Sequence, residues 1–91
     1  MANLFTTQTT NATSSTIAYA SATTLVLSGV LDGAVIALDI TDDGGTTWTT
    51  VDVMGRLGAT TMEMFGTFSF RARLAEAGAT TSVTLTYNGS A

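Results

Sequence analysis

The sequence predicts an all-β protein: an antiparallel β-sandwich of jelly-roll or Ig-like topology with about seven or eight strands. Three observations carry that expectation. Apolar residues alternate with polar ones wherever they cluster, the period of two that sends side chains to opposite faces of a strand. Those stretches are built from Thr, Val, Ile, Phe and Tyr, which fit a pleated surface. Turn-forming glycine and aspartate separate them at short intervals, and helical periodicity is absent.

Taken in order, residues 1–14 are rich in Thr, Asn, Gln and Ser, with Leu4 and Phe5 as their only bulky apolar side chains. They read either as a polar N-terminal arm suited to strand addition on a neighbour, or as a first strand or frayed terminus. Residues 15–91 form one β-sandwich domain. A short strand is expected around Ile17 and Tyr19, and a stronger one over residues 23–29 with Leu25 and Leu27. After a connection at residues 30–33, a strand over 34–41 aligns Ile36, Leu38 and Ile40. It turns into a return strand over 47–53, with Thr49, Val51 and Val53 on one face and Trp48 on the other. Residues 55–59 are a glycine-flanked loop, and residues 62–65 an apolar patch that is an edge strand or a lid. Residues 67–74 collect Phe68, Phe70, Ala72 and Leu74 on one face, and residues 82–87 collect Val83, Leu85 and Tyr87. The loop 75–79 between them, which contains Gly78, predicts a hairpin.

Charge excludes several functions. The chain has 91 residues, three basic and seven acidic, for a net charge of -4, and only 11% are charged. Nucleic acid is excluded as a partner, because its recognition needs clustered Lys and Arg. So low a charged fraction, against about 25% in ordinary domains, predicts a surface covered in the working state, in an oligomer or a larger assembly. The N-terminus lacks the basic and apolar regions of a secretory signal, and no apolar run approaches the ~20 residues of a membrane span. The protein is therefore expected to be made in a cytoplasm without a membrane partner.

The residues needed for catalysis are also missing. There is no His, Cys or Lys, which removes the commonest general base, thiolate chemistry and Ser–Lys arrangements. Glu63 and Glu76, the only glutamates, have no evident partner for paired-carboxylate hydrolysis. No enzyme activity, cofactor or metal is expected. Asp39, Asp42, Asp43 and Asp52 gather carboxylates near one hairpin end, but no glutamate closes a twelve-residue calcium loop. In Thr41-Asp42-Asp43-Gly44-Gly45-Thr46-Thr47-Trp48, the glycines supply positive φ and the aspartates bond to nearby amides. Thr41, Asp43, Gly45, Thr47 and Trp48 stand where the Asp-box of sialidases has Ser/Thr-x-Asp-x-Gly-x-Thr-Trp. In that family the box is a structural hairpin turn away from the active site, so the resemblance implies a hairpin whose Trp packs over the turn.

Across residues 23–88, a Thr/Ala/Gly-rich β-domain containing D-G-G-T-T-W and ending in G-T-F-S-F-R-A-R-L-A-E-A-G-A-T-T-S-V-T-L-T-Y resembles small virion proteins of tailed bacteriophages. The resemblance implies a capsid decoration or cement protein, a homotrimer on the outer surface of a phage head, whose partner is the major capsid protein. The alternative it leaves open is a carbohydrate- or receptor-binding module of a tail or head fibre, with Trp48, Tyr19 or Tyr87 stacked on a sugar. The candidate interface residues are Leu4, Phe5, Trp48, Met62, Met64, Phe65, Arg71 and Arg73. Arg71 and Arg73 leave one strand face together and would pair with acids of a neighbouring strand or subunit, or remain solvated.

Overall fold

Burial along the strands follows the alternation in the sequence. In the computed structural model, which describes residues 2–63 and 67–88, β8 (Ser69–Ala75) buries Phe70, Ala72 and Leu74 while the residues between them are half-buried. β9 (Ser82–Asn88) does the same with Val83 and Leu85, and β4 (Thr23–Val30) with Thr23, Leu25 and Leu27. The other strands are β1 (Ala2–Gln8), β2 (Ala12–Thr13), β3 (Ile17–Ala18), β5 (Val35–Thr41), β6 (Thr49–Met54) and β7 (Gly58–Met62). The described residues contain no helix.

Two antiparallel sheets result, labelled A and B. Sheet A runs β1-β9-β4-β7 and sheet B runs β2-β8-β5-β6, with β3 also paired to β8. β2 and β3 occupy one edge position: Ser14, between them, accepts the Ala72 N–H through its hydroxyl and donates its own N–H to the Ala72 carbonyl. The pairing is nested. The first strand meets the last, β2 and β3 meet β8, β4 meets β7 and β5 meets β6, as in one long ribbon wrapped on itself. That is jelly-roll order, and it differs from the ABED/CFG division of an Ig domain.

The inner faces of the two sheets make one core. Phe5, Leu25, Leu27, Val83 and Leu85 of sheet A oppose Ile36, Leu38, Phe70, Ala72 and Leu74 of sheet B. Phe70 meets Tyr87 edge to face, with ring centroids 5.9 Å apart. Each such large side chain contributes about 1.5–3 kcal/mol by leaving water.

Three expectations change here. The strands predicted at 67–74 and 82–87 exist, but they are not a hairpin: β8 pairs with β5 and β9 pairs with β1 and β4, in different sheets. Their apolar faces need the same core, and stacking the strands face to face buries both. The connecting loop is held to the β4–β5 turn at the same end. The Thr80 N–H donates to Asp32 Oδ2 at 2.8 Å, and the Thr81 hydroxyl donates to the Leu31 carbonyl at 2.7 Å. Gly78 packs so closely on Asp32 that a Cβ there would collide with it.

The second change concerns β6. Val51 is an extra residue between the pairs Leu38↔Asp52 and Asp39↔Thr50, so the alternation inverts and Thr49 and Val53 lie on opposite faces. The strand also begins at Thr49, leaving Trp48 in the turn. The third concerns Leu4 and Phe5, expected as contact residues. Leu4 is the extra residue between Asn3↔Thr86 and Phe5↔Leu85, which lets two consecutive side chains enter the core at 9% and 4% exposure. Ala2–Gln8 is thus an edge strand of sheet A, with its bulky side chains already used.

Candidate functional site

The tip of the β5–β6 hairpin assigns a role to each residue of the Asp-box-like sequence. Asp43 Oδ1 accepts the Thr41 hydroxyl at 2.7 Å and the amides of Thr46 and Thr47 at 3.1 and 2.9 Å. Thr41 Oγ1 accepts the Gly45 amide at 3.1 Å, and the Trp48 indole N–H donates to the Gly45 carbonyl at 3.1 Å. Gly44 and Gly45 take φ of 77° and 99°. The Thr47 amide, the Thr41 hydroxyl and the Thr46 amide stabilise the charged form and hold the Asp43 carboxyl down at about 2. The carboxylate is spent on the turn. Among the described residues, no three His, Cys, Asp or Glu side chains stand where they would hold a metal ion.

On the outer face of sheet B the two arginines share one acid. Asp39, on central strand β5, is 1% exposed. Its Oδ2 accepts Arg71 Nε at 3.2 Å and Arg73 Nε, while Oδ1 accepts Arg73 Nη2 at 3.2 Å and the Thr50 hydroxyl at 2.7 Å. Burial pushes the Asp39 carboxyl up. The hydrogen bonds from Arg73, Thr50 and Arg71, with the charge of Arg73, outweigh it and hold the carboxyl below the ordinary carboxylate range. Arg73 is raised in return by its bond to Asp39. The Arg71 guanidinium lies 4.0 Å from the centroid of the Trp48 ring, a cation–π contact. Trp48 is therefore half-buried, with one face under Arg71 and its N–H bonded to Gly45.

The outer face of sheet A is chemically different. β4 points Thr24, Val26, Ser28 and Val30 outward, and opposite them β9 presents Asn88, Thr86, Thr84 and Ser82. Edge strand β7 adds Ala59 and Thr61, and β1 adds Asn3 opposite Thr86. None of these side chains is charged. Several of its polar groups are already paired within the sheet: Asn3 Nδ2 donates to Thr6 Oγ1 at 2.9 Å, and the Thr7 amide donates to Thr84 Oγ1 at 3.1 Å. The charged residues lie elsewhere, in the Asp39 cluster of sheet B, on β6, or in the turns and loops.

The candidate residues thus separate. Trp48, Arg71 and Arg73 come together with Asp39, an acid of the neighbouring strand that the sequence grouped with the hairpin-end carboxylates, and with Thr50, which the sequence reading did not single out. Leu4 and Phe5 are core, and Met62 is buried at the end of β7. Met64 and Phe65 lie outside the described residues. Between the edges of β6 and β7 the sandwich opens into a cleft of about 330 Å³, floored by Leu38, Ile40 and Met62 and rimmed by Asp52 and Glu63. The uncharged face was missed because it exists only once β4 and β9 are paired; its signal was the absence of charge at alternate positions of both segments. No protein-family model, curated protein or solved structure significantly matches this chain.

Proposed function

We propose that this protein is a structural module that docks through the outer face of sheet A on a larger protein shell, as a capsid decoration protein of the phage-virion type its sequence resembles. The observation that carries the reading is the charge-free outer face of sheet A on a chain with net charge -4. Covering a charged face costs desolvation unless every charge finds a partner, whereas a face of uncharged Thr, Ser, Val and Ala side chains is covered at much lower cost. The two longer extents of the molecule, 38 and 25 Å, bound a face of roughly 900 Å², comparable with the ~800 Å² each partner gives to a stable interface.

In this role the protein works mechanically. Binding the assembled shell more tightly than its separated subunits stabilises the assembled state by mass action. Copies, as homotrimers, bridge adjacent major capsid subunits on the outer surface. The sugar-binding reading has less support, because one face of Trp48 is taken by Arg71 and its N–H by Gly45. The test is to quantify the protein in washed virions of the phage that encodes it. A copy number close to that of the major capsid protein is expected; its absence from intact virions would overturn the reading.

A further inference from the structure

The outer face of sheet B is a positive spot on a negative chain. Two guanidinium groups, Arg71 and Arg73, share one carboxylate, Asp39, so the cluster keeps one positive charge while the chain as a whole has -4. The side chains aligned with the cluster across the sheet are Thr50, Val53, Ala37, Ser69 and Thr13, all uncharged. Asp52, the one acid of β6, aligns with Leu38 and lies on the opposite side.

The cluster is closed at its acid and open at its bases. The two oxygens of Asp39 accept Arg71 Nε, Arg73 Nε, Arg73 Nη2 and the Thr50 hydroxyl, which fills a carboxylate. Arg71 has committed only its Nε. Among the described residues, neither Nη group of Arg71 nor Nη1 of Arg73 has an acceptor. Trp48, against Arg71, brings a ring and a donor N–H but no acceptor. Both arginine side chains reach solvent, at 24% and 40% exposure.

We infer that Arg71 and Arg73 form a receptor for one carboxylate group from outside the chain. The uncommitted Nη pair of Arg71 is an end-on fork that receives the two oxygens of a carboxylate side by side. Both Nε groups bond the same Asp39 oxygen, so the two guanidiniums are neighbours, and Arg73 adds its charge to the fork. One carboxylate neutralises the cluster, whereas a phosphate dianion would overshoot it. Asp39 already fixes both arginines and Trp48 flanks Arg71, so little side-chain freedom is lost when the ligand arrives. The carboxylate comes from an acidic side chain of a partner protein or from a small free acid.

Trp48 is the only tryptophan, and its contact with Arg71 makes its fluorescence the readout. The isolated full chain is titrated with sodium acetate, with the blocked peptide acetyl-Gly-Glu-Gly-amide, and with sodium chloride at equal ionic strength. No shell is involved, so the outcome is separate from that of the docking proposal. Acetate is expected to give a saturable change that chloride does not. Peptide binding at least as tight as acetate assigns the site to an acidic side chain of a protein; acetate binding without peptide binding assigns it to a free acid. Arg71→Lys keeps the charge and removes the fork, and it should weaken acetate binding about tenfold or more with an unchanged far-UV spectrum. Arg56→Gln removes a charge in the β6–β7 loop and should leave the affinity unchanged. If Arg71→Lys impairs folding, guanidinium ¹³C spectra of wild type answer instead, with the Arg71 signal moving on acetate addition and the Arg56 signal fixed. Acetate and chloride acting alike, full affinity in a folded Arg71→Lys, an equal loss in Arg56→Gln, or an unmoved Arg71 signal would overturn the inference.

Discussion

Asp43 and Asp39 illustrate two uses of a carboxylate in one hairpin. Asp43 closes the tip through three donors, and its folded carboxyl lies at about 2, below the ~3.9 of an unfolded chain. A depressed carboxylate stabilises the fold above the unfolded value, so that contribution is present above about pH 4 and is lost as pH falls toward about 2. A carboxyl ¹³C titration should find the Asp43 midpoint near 2, and a midpoint at the unfolded value of about 4 would contradict the turn geometry. Asp39→Asn removes the charge that both arginines share. Because those arginines retain access to water, the expected cost is about 1–3 kcal/mol, below that of a fully buried pair. Chemical denaturation measures the cost, and Trp48 fluorescence should report the freed Arg71. The tip was legible in the sequence because its bonds join residues within a few positions of one another. The role of Asp39 was legible only in part: Arg71 and Arg73 were expected to pair with acids of a neighbouring strand or subunit, but Asp39 lies 32 and 34 residues from them and was read with the carboxylates of the hairpin end.

At the level of strands, the sequence specified segments better than neighbours. β8 and β9 were evident from alternation, yet a short glycine-containing loop permits both a hairpin and a crossing between sheets. The crossing depends on Gly78 against Asp32 and on Thr80 and Thr81 against the β4–β5 turn, contacts across nearly 50 positions. Gly78→Ala is therefore expected to lower the thermal midpoint, because the new Cβ must displace Asp32 backbone as well as its side chain. An unchanged midpoint would contradict the tight approach. β1 gives a second test. Removing residues 1–8 strips Leu4 and Phe5 from the core and leaves one side of β9 unpaired. A loss of several kcal/mol is expected in urea unfolding, since one large core side chain alone is worth about 2–5 kcal/mol. A truncation as stable as the full chain would show that the segment is free to act as an arm.

For the whole molecule, the two outer faces differ in kind: sheet B carries a closed cluster of one acid and two arginines, and sheet A carries no charge. Low charge in the composition already predicted a covered surface; only the pairing of β4 with β9 shows where the uncharged residues converge. Val26 is half-buried and Thr86 lies beside it on that face, so Arg at either position can reach water without disturbing the core. The central claim is that this face docks on a capsid. Its most direct test is the occupancy of purified virions by wild type and by the Thr86→Arg variant, each confirmed folded by its far-UV spectrum. The account predicts wild type at near the copy number of the major capsid protein and at least a tenfold loss for Thr86→Arg, while equal occupancy, or no wild-type protein on the virion, would contradict it.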